Sequence, residues 1–292
     1  MQDLGTVGIW SRQLRFGDPV ESLEAAAELE ELGFGAQWIP DVGGPVLEAV
    51  TGLLEATRRV TIATGILNVW MHEAADVADG QARIHREHPG RFLLGLGISH
   101  APIVDAEEPG RYRRPLETMR AYLDALDAHA PSGQRPARVL AALGPKMIEL
   151  AAERTLGIHP YLVPVEHTRR AREALGAGRL LAPALSVVLD PDRERGRGIA
   201  RRDVGVYFGL PNYVNAWRRL GFTDADFAGG GSDRLIDSLY ACGTAESVAR
   251  RVEEHHEAGA DHVCLRVVTY HADDATRLPR EEWRRIAEVI AG

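Results

Sequence analysis

Apolar and polar positions follow two patterns along the chain: short runs dense in β-branched and aliphatic residues, and longer stretches where apolar side chains return every three or four positions. The pattern is clearest over 60–100. There VTIATGIL and RFLLGLGISH flank a segment whose Val77, Gln81, Ile84, His85 and His88 fall at helical spacing, which predicts strand, crossover helix, parallel strand. Residues at the carboxyl ends of both strands, Gly65, Ile66, Asn68, His72, Ser99 and His100, are small or polar, and in parallel α/β folds that rim is where ligands bind.

The same alternation extends over the whole chain. Strands are predicted at 6–11, 36–40, 138–143, 157–163, 181–189 and 262–268 besides the two above, with helices between them. Asp18-Pro19-Val20-Glu21 reads as a helix start, with an acceptor for the first free amides and a proline where no amide is needed. Gly33 reads as the end of that helix, Thr244 as the cap of a later one, 101–111 as a loop and Pro131-Ser132-Gly133 as a break. Eight strands alternating with helices predict a (β/α)8 TIM barrel occupying 1–292 as one domain, with an insertion between strands seven and eight at about 190–243.

Composition narrows the function classes. A formal net charge of −8 and the absence of a basic stripe argue against nonspecific nucleic-acid binding. No apolar run reaches the ~18 residues of a membrane span, and nothing at the N-terminus reads as a leader, so a cytoplasmic protein is expected. The two cysteines, Cys242 and Cys264, fit neither a disulfide framework nor a metal site and are expected as free thiols; no metal site is expected. Gly144-Pro145-Lys146-Met147 opens a helix whose first amides would suit a phosphate, although Gly-Pro there also reads as plain helix initiation. Lys146 is the only lysine in the chain.

Over TGILNVWMHEAADVADGQARIHREHPGRFLLGLGISHA and ALGPKMIELAAERTLGIHPYLV, the chain resembles the bacterial luciferase-like flavin and deazaflavin oxidoreductases. WIPD, GIHPYLVPVEHTRRAR and LPNYVNAWRRLGF bring it nearest the subgroup that uses coenzyme F420. The resemblance implies that Asp41 lies near the cofactor ring, that Gly65-Ile66 forms a non-proline cis peptide behind the ring, and that Asn68 and Ser99 reach the cofactor. It further implies that Gly144, Pro145, Lys146 and Met147 hold its phosphate and that His159 and Tyr161 line the cavity. His100 stands where deazaflavin dehydrogenases of this family carry a glutamate proton donor, and Val42 where sugar-phosphate-oxidising members carry a histidine, so sugar-phosphate oxidation is not expected. His100 or His72 is then the candidate proton donor, since histidine titrates near neutrality. For His72 and Trp10, a site role and a packing role are both open.

The activity implied is hydride exchange between coenzyme F420 and a small organic substrate in a homodimer. Three alternatives stand beside it: an FMN-dependent luciferase-like monooxygenase, a flavin- or deazaflavin-binding protein without catalysis, and a phosphate-binding isomerase or aldolase. The last would need a lysine nucleophile or a metal cluster at strand ends, and Lys146 opens a helix instead.

Overall fold

A computed structural model describes residues 4–129, 137–269 and 276–290, so the Pro131-Ser132-Gly133 break lies outside the described residues. The strands are β1 (Val7–Trp10), β2 (Ala36–Ile39), β3 (Thr61–Thr64), β4 (Leu67–Asn68), β5 (Phe92–Gly97), β6 (Arg138–Leu140), β7 (Gly157–Ile158), β8 (Leu180–Leu181), β9 (Ala184–Leu189), β10 (Tyr240–Gly243) and β11 (Val263–Val267). Every ladder between them is parallel, as strands joined by helices require.

The sheet curls back on itself. Leu180, Ala182 and Ala184 donate to Leu156, Ile158 and Pro160 on one side, while the carbonyls of Leu181 and Pro183 accept from Asp261 and Cys264 on the other. β11 then pairs with β1. Counting β3 with β4 and β8 with β9 as single strands, and setting β10 aside, the eleven strands occupy eight positions around the ring. The interior is filled by inward-facing side chains such as Trp38, Ala63, Leu93 and Cys264, all fully buried.

Several local expectations change. The seventh predicted strand splits at Pro183, which has no amide to give to a ladder. The sixth is regular only over Gly157–Ile158, with one bridge from Tyr161 to Ala184, because the chain turns away at Leu162 (φ 51°). β10, which the apolar pattern did not reveal, pairs with β9 over Ser186–Leu189 on the flank that the short β7 leaves free. The supposed loop after His100 contains a helix, Ala101–Glu107, with Pro102 harmless in its first turn. Asp18 caps its helix through Val20 and Glu21 as expected, whereas the helix Ala245–Glu257 has no side-chain cap from Thr244.

Between β9 and β10 lie the helices Arg193–Val204, Pro211–Arg219 and Asp233–Leu239 and shorter turns. They carry their own apolar cluster, with Trp217, Leu235, Ile236 and Tyr240 buried, and cover one side of the barrel mouth as a roof. Trp217 Nε1 donates to the carbonyl of the turned-out Leu162 at 2.9 Å, fastening the roof to the end of the sixth strand.

Candidate active site

The carboxyl ends of the strands bring a closed circuit of contacts around the mouth. At its base β1 ends on Trp10, whose Nε1 donates to Gly65 O at 2.6 Å. The Gly65–Ile66 peptide is cis, as the resemblance implied. Gly65 is required there: a Cβ would stand 2.8 Å from Trp10 Nε1 and 3.2 Å from His159 Nε2. Gly97 leaves room for the Ile66 side chain lying over it, since a Cβ would run into Ile66 Cδ1 and stand 2.5 Å from its Cγ1.

Asp41, at the end of β2, is buried and uses both oxygens. Oδ1 pairs with Arg15 at 3.3 Å, while Oδ2 lies 2.7 Å from His72 Nε2 and accepts the Asn68 amide at 3.1 Å. The Arg15 guanidinium, its pKa lowered by burial, also donates to the carbonyls of Pro40, Gly43 and Gly44. Asp41 therefore ties together three segments and orients His72, and its carboxyl group is turned into the protein. The Tyr122 hydroxyl holds the His72 carbonyl at 3.1 Å.

The circuit continues through Trp70, whose ring lies 6.0 Å from that of Tyr112. Arg111 donates to the Trp70 carbonyl and sits 5.7 Å above its ring. Ser99 adopts a left-handed conformation (φ 56°), turning the chain so that its carbonyl meets the Tyr112 hydroxyl at 3.4 Å and His100 enters the mouth. Asn212, in the roof, bridges His100 Nδ1 at 3.2 Å and the Tyr112 oxygen at 3.3 Å. The His100 ring packs 5.2 Å from Tyr213, Tyr213 edges onto Tyr161, and Tyr161 lies parallel to Trp10 at 6.5 Å, closing the circuit.

Burial pushes the His100 pKa down to about 4. The sequence-based expectation of a histidine titrating near neutrality is corrected accordingly: at pH 7 this imidazole is neutral. His159 is also neutral, lowered to about 4 by burial. It stacks on Trp38 at 4.1 Å and bonds Ala182 O at 2.7 Å, so it forms the floor beneath Gly65 and is not a wall of the mouth.

Sequence reasoning missed the cluster beside Trp10, whose ring lies 5.7 Å from the Arg266 guanidinium. Arg266, in the middle of β11, makes a two-pronged pair with Asp203 of the roof at 2.6 and 2.7 Å and donates to the Tyr161 oxygen at 2.8 Å. Asp203 also accepts from Tyr240 of β10 at 2.7 Å, and Tyr207 reaches Tyr161 at 3.3 Å. The arginine interrupting the apolar run VCLRVV was a usable signal, because a charge in a buried strand needs a partner.

Gly144 to Met147 lie on the rim just after β6, at the start of the helix Pro145–Arg154, which has no side-chain cap; Pro145 has no amide and Met147 gives its own to the Gly144 carbonyl at 3.1 Å, which leaves the Gly144 and Lys146 amides for a ligand. Arg219 from the roof donates to Leu143 O at 3.2 Å, with its Nη2 3.5 Å from where a Gly144 Cβ would be, and has no carboxylate partner among the described residues. With Lys146 in the first turn, two cations flank one helix start. A cavity of about 290 Å³ lies elsewhere, beside β10, but its Arg193 and Arg251 are already paired with Asp237 and Glu254.

Known proteins resemble this chain in sequence or in fold. The 5,10-methylenetetrahydromethanopterin reductase of Archaeoglobus fulgidus is 27% identical over 288 residues, covering 80% of this chain and 85% of the relative. Among solved structures, an F420-dependent secondary alcohol dehydrogenase in complex with an F420–acetone adduct superimposes with a TM-score of 0.75 at 18% identity, covering 98% of both chains. The FMN complex of the oxygenating constituent of 3,6-diketocamphane monooxygenase, a type II Baeyer–Villiger enzyme of Pseudomonas putida, gives 0.69 at 14% identity, again over 98% of both. Since the sequence pattern of the luciferase-like monooxygenases matches residues 6–262, nearly the whole barrel and its roof, the chain belongs to that family.

Proposed function

We propose that this protein binds coenzyme F420 across the barrel mouth and exchanges a hydride between it and a small organic substrate. The observation that carries this reading is the uncapped helix start at Gly144 with Lys146 and Arg219 beside it, following β6 on the same rim as the aromatic and neutral polar groups of the mouth. That donor set fits a phosphate, and the wall fits a flat ring. Likeness to the reductase and the F420-bound dehydrogenase supports the deazaflavin. When bound, it supplies hydride transfer at its ring carbon C5.

The protein's own residues do the rest. The Gly144 and Lys146 amides and the side chains of Lys146 and Arg219 hold the phosphate, with Pro145 and Met147 shaping the turn, and Gly65, Ile66, Asn68 and Ser99 bound the ring. Asp41 fixes His72 through Nε2, leaving Nδ1 to exchange a proton with the substrate. His100, neutral at pH 7, acts as a hydrogen-bonding group and not as an acid. Tyr161, with Tyr207 and Tyr213 from residues 190–243, read as an insertion, excludes water.

Titrating the protein with F420 and with FMN by fluorescence quenching tests the reading. F420 binds the more tightly, and Arg219→Ala and Lys146→Ala each weaken it about tenfold, as expected for one charge-assisted contact. Tight FMN binding with none of F420 would replace the proposal by the second reading, an FMN-dependent monooxygenase, which the likeness to the FMN-bound monooxygenase favours.

A cytoplasmic homodimer completes the proposal. Phe16, Val20, Leu23, Val42 and Met71 are large exposed apolar side chains within the early elements, which supports a partner there. Light scattering should give twice the chain mass for the native protein and the single mass for Leu23→Glu.

A further inference from the structure

Asn212 stands where the roof meets the rim, and the hydrogen bonds around it have a direction. The Ser99 carbonyl only accepts, so the Tyr112 hydroxyl spends its proton there, at 3.4 Å. The phenol oxygen is then an acceptor, and Asn212 Nδ2 supplies one hydrogen to it at 3.3 Å and the other to His100 Nδ1 at 3.2 Å. A ring nitrogen that accepts carries no proton. The imidazole proton therefore sits on Nε2. The helix that His100 introduces does not use its side chain as a cap, so no competing local bond claims Nδ1.

We propose that Asn212 is a positioning residue that holds His100 in the Nε2–H tautomer, so that His100 presents a neutral N–H donor to the substrate. The tautomer stands on the hydrogen-bond geometry alone; what the donor does rests on the oxidoreductase reading above. Burial, which lowers the His100 pKa to about 4, keeps the ring uncharged.

A neutral imidazole N–H suits a particular substrate class. It stabilises negative charge building on the oxygen of a carbonyl or the nitrogen of an imine by hydrogen bonding, without giving up its proton. The proton that completes the product comes from elsewhere: His72, its Nε2–H held by Asp41, gives it from Nδ1 when the ring carries both protons, and is left as the neutral Nε2–H imidazole. The roof, which differs most from a bare barrel, thus sets the state of a group on the barrel rim 112 residues away in sequence.

The full-length protein, labelled with ¹⁵N-histidine and studied without cofactor at neutral pH, tests the assignment by long-range ¹H–¹⁵N correlation, with the His100 signals identified by their loss in His100→Gln. The expected result is a protonated Nε2 and an unprotonated Nδ1. Asn212→Asp, which puts an acceptor in place of the donor, moves a proton onto Nδ1, and Asn212→Ala abolishes the single-tautomer pattern. A wild-type His100 protonated at Nδ1, or variants that keep the wild-type pattern, would overturn the proposal. Because no cofactor is present, this result is independent of F420 binding: a protein with the expected tautomer that bound neither F420 nor FMN would retain the Asn212 assignment and lose the oxidoreductase reading.

Discussion

The two sides of the mouth are built differently. On the side of β2 to β5, Asp41, Asn68 and His72 are held by backbone that follows directly from strand ends, and the charged pair there has helpers: Arg15 is bonded to three carbonyls besides Asp41. On the side of β9 to β11, Arg266 lies over the Trp10 ring, but among the described residues its side chain is hydrogen-bonded only to Asp203 and one phenol, brought in across 63 and 105 residues of chain. A site can thus be half scaffold and half staple, and the staple carries the greater risk when cut.

Asp203→Asn should show the largest effect, because it leaves a buried guanidinium without its counter-charge. We expect a loss of about 3 to 5 kcal/mol in urea unfolding, with the roof exposed first to proteolysis. Asp41→Asn should cost less, about 2 kcal/mol, because the carbonyls around Arg15 and the neutral partners of the new amide remain. Equal losses in the two variants would erase the contrast.

Acid strikes the molecule more evenly. His159, His167 and His262 are each lowered to about 4 and His255 to about 3 by burial, so the unfolded chain, with histidines near 6.5, binds more protons. Stability is therefore full above about pH 6.5 and falls towards pH 4, by about 1.4 kcal/mol per pH unit for each such imidazole. Unfolding free energies that stay flat over that window would contradict their burial. The smallest effect is expected from Gly97→Ala. Its Cβ meets both Cδ1 and Cγ1 of Ile66, so that side chain must turn away, at about 1 kcal/mol by thermal melting, and adding Gly97→Ala to Ile66→Ala, which lacks both atoms, should cost almost nothing further.

What the sequence made legible follows the same division. Alternation of apolar runs located every position of the ring, and small polar residues after β3 and β5 marked the rim. Those signals are local, fixed by periodicity and turn chemistry. Asp203 and Tyr207 left none, and Asn212 and Arg219, on the helix Pro211–Arg219, were legible only as members of LPNYVNAWRRLGF, because each owes its role to tertiary pairing across the roof. β10 was hidden for a related reason, since Tyr240-Ala241-Cys242-Gly243 is too short to stand out until β9 offers it an edge.

That edge has a bearing on traffic. With β10 laced to β9 at four successive positions and Asp203 clasping Arg266 just inside, the canopy is sewn into the wall and cannot swing clear as one piece. The short helix Ala101–Glu107, with Ile103 exposed and the roof reaching its first residue only through Asn212 and His100, is the looser part of the rim, and changes there should alter the pace of exchange more than the chemistry within.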